Sequence, residues 1–222
     1  TARSWPRGNY CMLRTLIACI ACIPMACPVH AALSLPDLPA ANVAPAPYDG
    51  DWLVATPPNK AGVFLGDDAR EIVMSNGLMR RVWRITPNCA TVAFDNLMTG
   101  NPVIRGVKPE AIVELDGRRY NIGGLNGQPD YAYLKREWID TLTGDADAFQ
   151  LSGIDTGPTV ERFSWKRMRR HDTKLAWPPR GVSLTVRYAP PRDTLPGVTV
   201  SVHYEMYDEI PLMAKWISVT NN

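Results

Sequence analysis

His203 and Glu205 stand two apart in VTVSVHYEMYD, a spacing that sets both side chains on one face of a β-strand. A histidine beside a carboxylate can pass a proton to and from a sugar hydroxyl, the chemistry of a mutarotase-like sugar epimerase. A strand face in contact with water yields the same pair without any chemistry, and this solvated-face reading is preferred. Acidic pairs suggest a second chemistry: Asp67-Asp68, Asp145 with Asp147, and Asp208-Glu209 could act as glycosidase carboxylates or calcium ligands. All three fall where turns are expected, and none has the D-x-D-x-D-G spacing of a calcium loop. His171 lies in a basic run and His30 near the start, so neither extends a catalytic set.

Tyr131, Tyr133, Trp138, Trp165 and Trp177 lie in or beside loop-rich segments. Sugar rings pack their C–H faces on exposed aromatic planes, so these residues are the candidate carbohydrate contacts. Filling a core is the other use of a large aromatic, expected for Trp83 and Trp216. The basic stretch RFSWKRMRRHDTK, residues 162–174, could meet phosphates or an acidic glycan through Arg162, Lys166, Arg167, Arg169, Arg170 and Lys174. The preferred reading is a long edge strand whose charges oppose pairing with another sheet. The sequence has no GxSxG elbow, phosphate-cradling glycine loop, HExxH or dinucleotide fingerprint, and no cofactor or metal is expected.

The elements that must position these residues are strands. REIVMSNGLMRRVWRIT carries Ser75-Asn76-Gly77 as a turn between two strands, and in the second arm Met79, Trp83 and Ile85 alternate with Arg80 and Arg84. ATVAFDNL predicts another strand, and EAIVELDGRRYNIGG a hairpin with Asp116-Gly117 as a type I′ turn. Residues 125–149 break the pattern, with a helical turn expected around Leu134–Leu142. Strands resume at FQLSGIDTG, VERFSWKRMRR, VSLTVRYAP, PGVTVSVHYEMYD and IPLMAKWISVTNN. In the penultimate strand Val198, Val200, Val202, Tyr204 and Met206 point one way, and Thr199, Ser201, His203, Glu205 and Tyr207 the other. Nine or ten strands with almost no amphipathic helix predict an all-β fold, an antiparallel β-sandwich.

The ends of the chain read differently. Residues 1–31 contain Arg3, Arg7 and Arg14, no acid, and the cysteines Cys11, Cys19, Cys22 and Cys27. Within them MLRTLIACIACIPMACPVHA has a basic start, a short apolar core and V-H-A before a cut, the order of a secretory signal peptide, with upstream residues before Met12. A lipoprotein box at Leu16–Cys19 is the competing reading, and C-x-x-C at Cys19 and Cys22 is taken as part of the export helix rather than a metal or redox site. Export to the periplasm or the extracellular space is expected, with no integral membrane span in the mature protein. Without the three leader arginines, 21 basic side chains face 22 acidic ones, so no nucleic-acid partner is implied. Residues 32–50, Pro- and Ala-rich, are expected to form an extended linker, and 51–222 the β-sandwich domain, which would retain Cys89 as its sole cysteine.

The segment VSVHYEMYDEIPLMAKWISVTN, together with SNGLMRRVWRI and FDNLMTG, resembles the N-terminal β-supersandwich domain of bacterial α-galactosidase-like proteins of the glycoside hydrolase family 36 type. The resemblance spans about residues 65 to 222. In that family the supersandwich packs against a (β/α)8 barrel that carries the catalytic carboxylates. No βα alternation occurs in this sequence, so no catalytic residue carries over. The resemblance implies an exported N-terminal region, truncated at its C-terminal end and non-catalytic alone, that supports a downstream catalytic domain and contacts carbohydrate. An independent carbohydrate-binding module and the epimerase using His203 and Glu205 are the alternatives.

Overall fold

A computed structural model describes residues 35–164, 166 and 176–222. They belong to one compact unit, Leu33–Asn222, built almost wholly from antiparallel strands. Five strands form the first sheet in chain order: β1 (Gly62–Leu65), β2 (Glu71–Ser75), β3 (Met79–Arg84), β4 (Ala90–Asn96) and β5 (Asn101–Ile104). A hairpin follows, β6 (Ala111–Leu115) and β7 (Arg118–Ile122), then the short pair β8 (Leu125–Asn126) and β9 (Thr143–Gly144). The second sheet holds β10 (Gln150–Pro158), β11 (Gly181–Ala189), β12 (Val198–Tyr207) and β13 (Met213–Asn221), again in chain order. Among the described residues there are thirteen strands, more than the nine or ten expected, because β5, β8 and β9 carry no hydrophobic alternation of their own.

The two sheets pack face to face. Ile72, Met74 and Trp83 of the first meet Leu184, Val186, Val200, Val202, Tyr204 and Met206 of the second, all nearly or wholly buried. The alternation in β12 therefore falls as its sequence requires. Trp83 meets Tyr204 edge-on, with ring centroids 4.8 Å apart, and joins the sheets at their centre.

The first sheet is also covered on its other side. Phe64, Val73, Val82 and Val92 pack under Val107, Leu125, Leu134, Ile139 and Leu142, so every residue of β2 is buried. The cover is the segment from β8 to β9, which includes a 3-10 helix at Arg136–Thr141, within the span where a helical turn was expected. This layer corrects one expectation. Arg84 does not face water: its side chain is 3% exposed and is held between Asp68 (2.9 Å) and Asp140 (2.7 Å), the latter on the 3-10 helix.

Turn chemistry agrees with the sequence. Asp116 (φ 51°) and Gly117 (φ 74°) are both left-handed, as a type I′ hairpin needs. The Ser75-Asn76-Gly77 turn has a second role. Asn76 is fully buried, its Oδ1 accepts from the backbone of Leu78 and Met79, and its Nδ2 donates to the carbonyls of Tyr207 and Ile210, both at 2.8 Å. One amide thus fastens the first sheet to the end of β12. Residues 35–50 are extended apart from a 3-10 turn at Ala41–Val43, but they lie on the domain: Ala40 bridges to Leu65, and Leu35 and Leu38 pack against the core.

Candidate functional site

His203 and Glu205 do share the outer face of the second sheet, but that face is not simply solvated. Glu205 is buried, with a side chain 3% exposed. It accepts hydrogen bonds from the Tyr207 hydroxyl (2.8 Å), the backbone N–H of Val160 and Arg162 Nη2 (both 3.3 Å). The segment after β10 crosses over the strand and seals it. His203 has both ring nitrogens engaged, Nδ1 with Thr185 Oγ1 at 3.0 Å and Nε2 with Ser218 Oγ at 2.8 Å. Its ring stacks on Trp216 at 4.9 Å, and the Arg162 guanidinium lies 3.8 Å from the centre of the Trp216 ring. Trp216 is therefore an outer-face residue, not a filler of the core.

This arrangement fixes the charge of His203. Partial burial first, then the nearby Arg162 cation, hold its pKa below 6.5, while the Glu205 carboxylate pulls it back up. The group is neutral at pH 7. Because the folded pKa is depressed, protonation opposes folding, so this contribution is present above pH 6.5 and fades as pH falls through the folded pKa. The His203 ring protons, followed by NMR, should titrate below 6.5. Arg162→Ala should raise the midpoint and Glu205→Gln should lower it further; an unmoved midpoint in both variants would contradict the assignment.

The basic stretch is not an edge strand where it is described. Residues 161–164 lie outside any strand, with a bend at 162–163, and the sheet edge on that side is β10. Arg162 is spent on Glu205 and Trp216. Arg167, Arg169, Arg170 and Lys174 lie outside the described residues.

The five aromatics do not converge. Tyr131 is fully exposed, with φ 57°, on the wall of a cleft of about 620 Å³ formed by residues 105–108 and 125–132. Tyr133 is 58% exposed nearby in sequence, while Trp138 packs partly buried beneath Lys135 on the outer layer of the first sheet. Trp177 belongs to the far side of the sandwich. It is 37% exposed, 6.0 Å from Phe163, and its Nε1 donates to Glu161. Trp165 lies outside the described residues.

The acidic pairs occupy turns, as expected. Asp68 and Asp208 are tied to Arg84 and Lys60, and Asp145 caps the backbone N–H of Asp147. Burial works to raise the Asp68 pKa, but the backbone of Arg70 and the Arg84 and Arg70 cations outweigh it and hold the carboxyl below 3.8. The most elaborate acid site was not anticipated. Glu110, 2% exposed in its side chain, accepts from the backbone and hydroxyl of Thr91, from Arg81 and Lys215 (each 3.1 Å) and from the Tyr204 hydroxyl. Burial alone would raise its pKa, yet Arg81 and Lys215 hold it below 4.5. Cys89 lies in the same interior, where burial pushes its thiol up to about 12 and leaves it a packing residue.

A second cleft, of about 650 Å³, opens on the outer side of the first sheet. Its floor is Val73, Val82, Val92 and Ala93, one wall is residues 44–47, and Arg80, Arg105 and Arg136 line it. The sequence marked Arg80 only as a wet-face residue and gave no sign that the other two would join it. No family model, curated protein or solved structure matches the chain.

Proposed function

We propose that this chain is the exported N-terminal β-sandwich region of a glycoside-hydrolase-like protein of the α-galactosidase type, non-catalytic alone, which packs against a catalytic domain and contacts carbohydrate. The observation that carries the packing role is the exposed inner row of β13. Ile217 and Val219 are 41% and 44% exposed, although their cross-strand partners Val202 and Val200 are fully buried. Among the described residues no strand pairs with the other edge of β13. A nine-residue strand with apolar side chains open on its core face is a surface suited to further packing.

The absence of catalysis is supported by how the carboxylates are used. A glycosidase needs two carboxyls facing a sugar, one of them kept protonated as the acid. Glu110 and Asp68 are instead held ionised by cations, and Glu205 is closed under Arg162. An epimerase acting through His203 requires free ring nitrogens over a concave site, and neither cleft described above is lined by His203 or Glu205.

Tryptophan fluorescence titrated with plant and bacterial glycans tests the carbohydrate part. A saturable change lost in Tyr131→Ala with Tyr133→Ala supports contact at the outer layer. A change that survives this double variant but is lost in Trp177→Ala would move the contact to the opposite side. No saturable change with any glycan would remove the carbohydrate contact and leave packing alone.

A further inference from the structure

The 650 Å³ cleft on the outer side of the first sheet has a built charge pattern that its size alone does not convey. Asp95 lies beneath it, 8% exposed in its side chain. Oδ2 accepts from Arg80 Nε (3.2 Å) and Nη2 (2.8 Å), and Arg105 Nη2 forms an ion pair with Oδ1 at 2.5 Å. Two guanidinium groups thus share one carboxylate, leaving a surplus positive charge at that end. The buried acid also fixes both planar forks in place before any ligand arrives, which lowers the ordering cost of binding. Arg80 remains about half exposed, so N–H donors not used by Asp95 stay accessible.

The other end carries carboxylates as well as a cation, with Asp67 on the lining beside Glu71. Arg136 Nη1 meets Glu71 at 2.5 Å, and Arg84 lies 3.6 Å from the same oxygen. Such a mixed set of donors and acceptors suits hydroxyl groups, which both donate and accept. Between the ends the floor is aliphatic and without an aromatic ring. The volume suits a ligand of one or two sugar rings.

We propose that this cleft binds a carboxylate-bearing sugar, a hexuronic acid residue, with its carboxylate on the Arg80–Arg105 end and its hydroxyls toward Arg136 and Glu71. The inference rests on the carbohydrate part of the proposed function and narrows it to an anionic sugar, at a site distinct from the exposed tyrosines. A neutral hexose leaves the surplus cation unanswered, and a bidentate carboxylate completes it.

Isothermal titration of the whole chain with galacturonate, glucuronate, galactose and inorganic phosphate is the test. The expected result is uronate binding at least tenfold tighter than galactose or phosphate, lost in Arg105→Ala, which leaves Asp95 still paired with Arg80. The arginine Nε–Hε NMR signals of the unaltered chain give an independent reading: those of Arg80 and Arg105 should move on uronate addition. Galactose binding as tightly as uronate overturns the acidic-sugar inference but leaves carbohydrate contact intact. Phosphate binding as tightly as uronate makes this a general anion site and also overturns it. Uronate binding that leaves the Arg80 and Arg105 signals unmoved removes the site. No binding of any of the four overturns the inference, while the packing role stands on β13.

Discussion

Glu110→Ala should cost about 3–5 kcal/mol of stability, the usual cost of removing one partner from a buried ion cluster. Glu110 connects three parts of the fold: β4 through Thr91, β3 through Arg81, and the second sheet through Tyr204 and Lys215. Lys215 also donates to the Glu110 carbonyl at 2.5 Å. Without the carboxylate, Arg81 is left buried against Trp83 and Tyr204 with its charge answered only by ring faces and Thr91. Urea denaturation measures the loss, and the slope with denaturant should stay unchanged. A double variant with Lys215→Met should lose less than the two single losses combined, because each single change strands the other charge.

The same group sets an acid limb. The folded pKa of Glu110 is held below its ordinary 4.5, so its stabilisation is complete above about pH 4.5 and is lost as pH falls through the folded value. Glu110→Gln should flatten the decline of Tm below pH 4.5. A loss under about 1 kcal/mol in Glu110→Ala, or an unchanged acid limb in Glu110→Gln, would show that the cluster does not join the sheets.

Trp83→Ala should cost about 3–5 kcal/mol as well, for a different reason. Trp83 is 1% exposed and lies between the two sheets, edge-on to Tyr204. Its removal leaves a cavity bounded by β-sheet on both sides, and paired strands cannot collapse into it without breaking their register. Trp83→Phe keeps most of the packing and should lose less than half as much. Near-equal losses in the two variants would contradict this packing account.

These two residues also mark what could be read from the chain. Trp83 alternates with Met79 and Ile85, a pattern visible without a structure, and its burial follows from it. The β6–β7 hairpin and the inward row of β12 were legible for the same reason: a turn with two left-handed residues and a period of two are local signals. Glu110 could not be read this way, since Lys215 is 105 residues away and Arg81 29. Arg84 looked wet because its neighbours alternate, and it is covered by a layer whose own sequence is irregular.

The candidate site was less legible still. The aromatic residues were found by type, but type carries no information about which side of a sandwich a loop returns to, and Tyr131 and Trp177 belong to opposite sides. The His203–Glu205 spacing correctly placed both on one face. What it missed was the crossing segment with Arg162, which turns a polar face into a closed pair. The Arg80–Arg105 end of the cleft depends on Asp95 in β4 gathering one arginine from β3 and another just beyond β5. Only the sheet register reveals that meeting.

The most direct test of the account is turnover by the purified chain on nitrophenyl galactosides. If strand pairing builds this region and bond cleavage belongs to another domain, nitrophenol release stays at the buffer rate, and His203→Ala changes nothing. Release that persists through purification and disappears in His203→Ala would put the chemistry on the outer face of the second sheet and contradict the account.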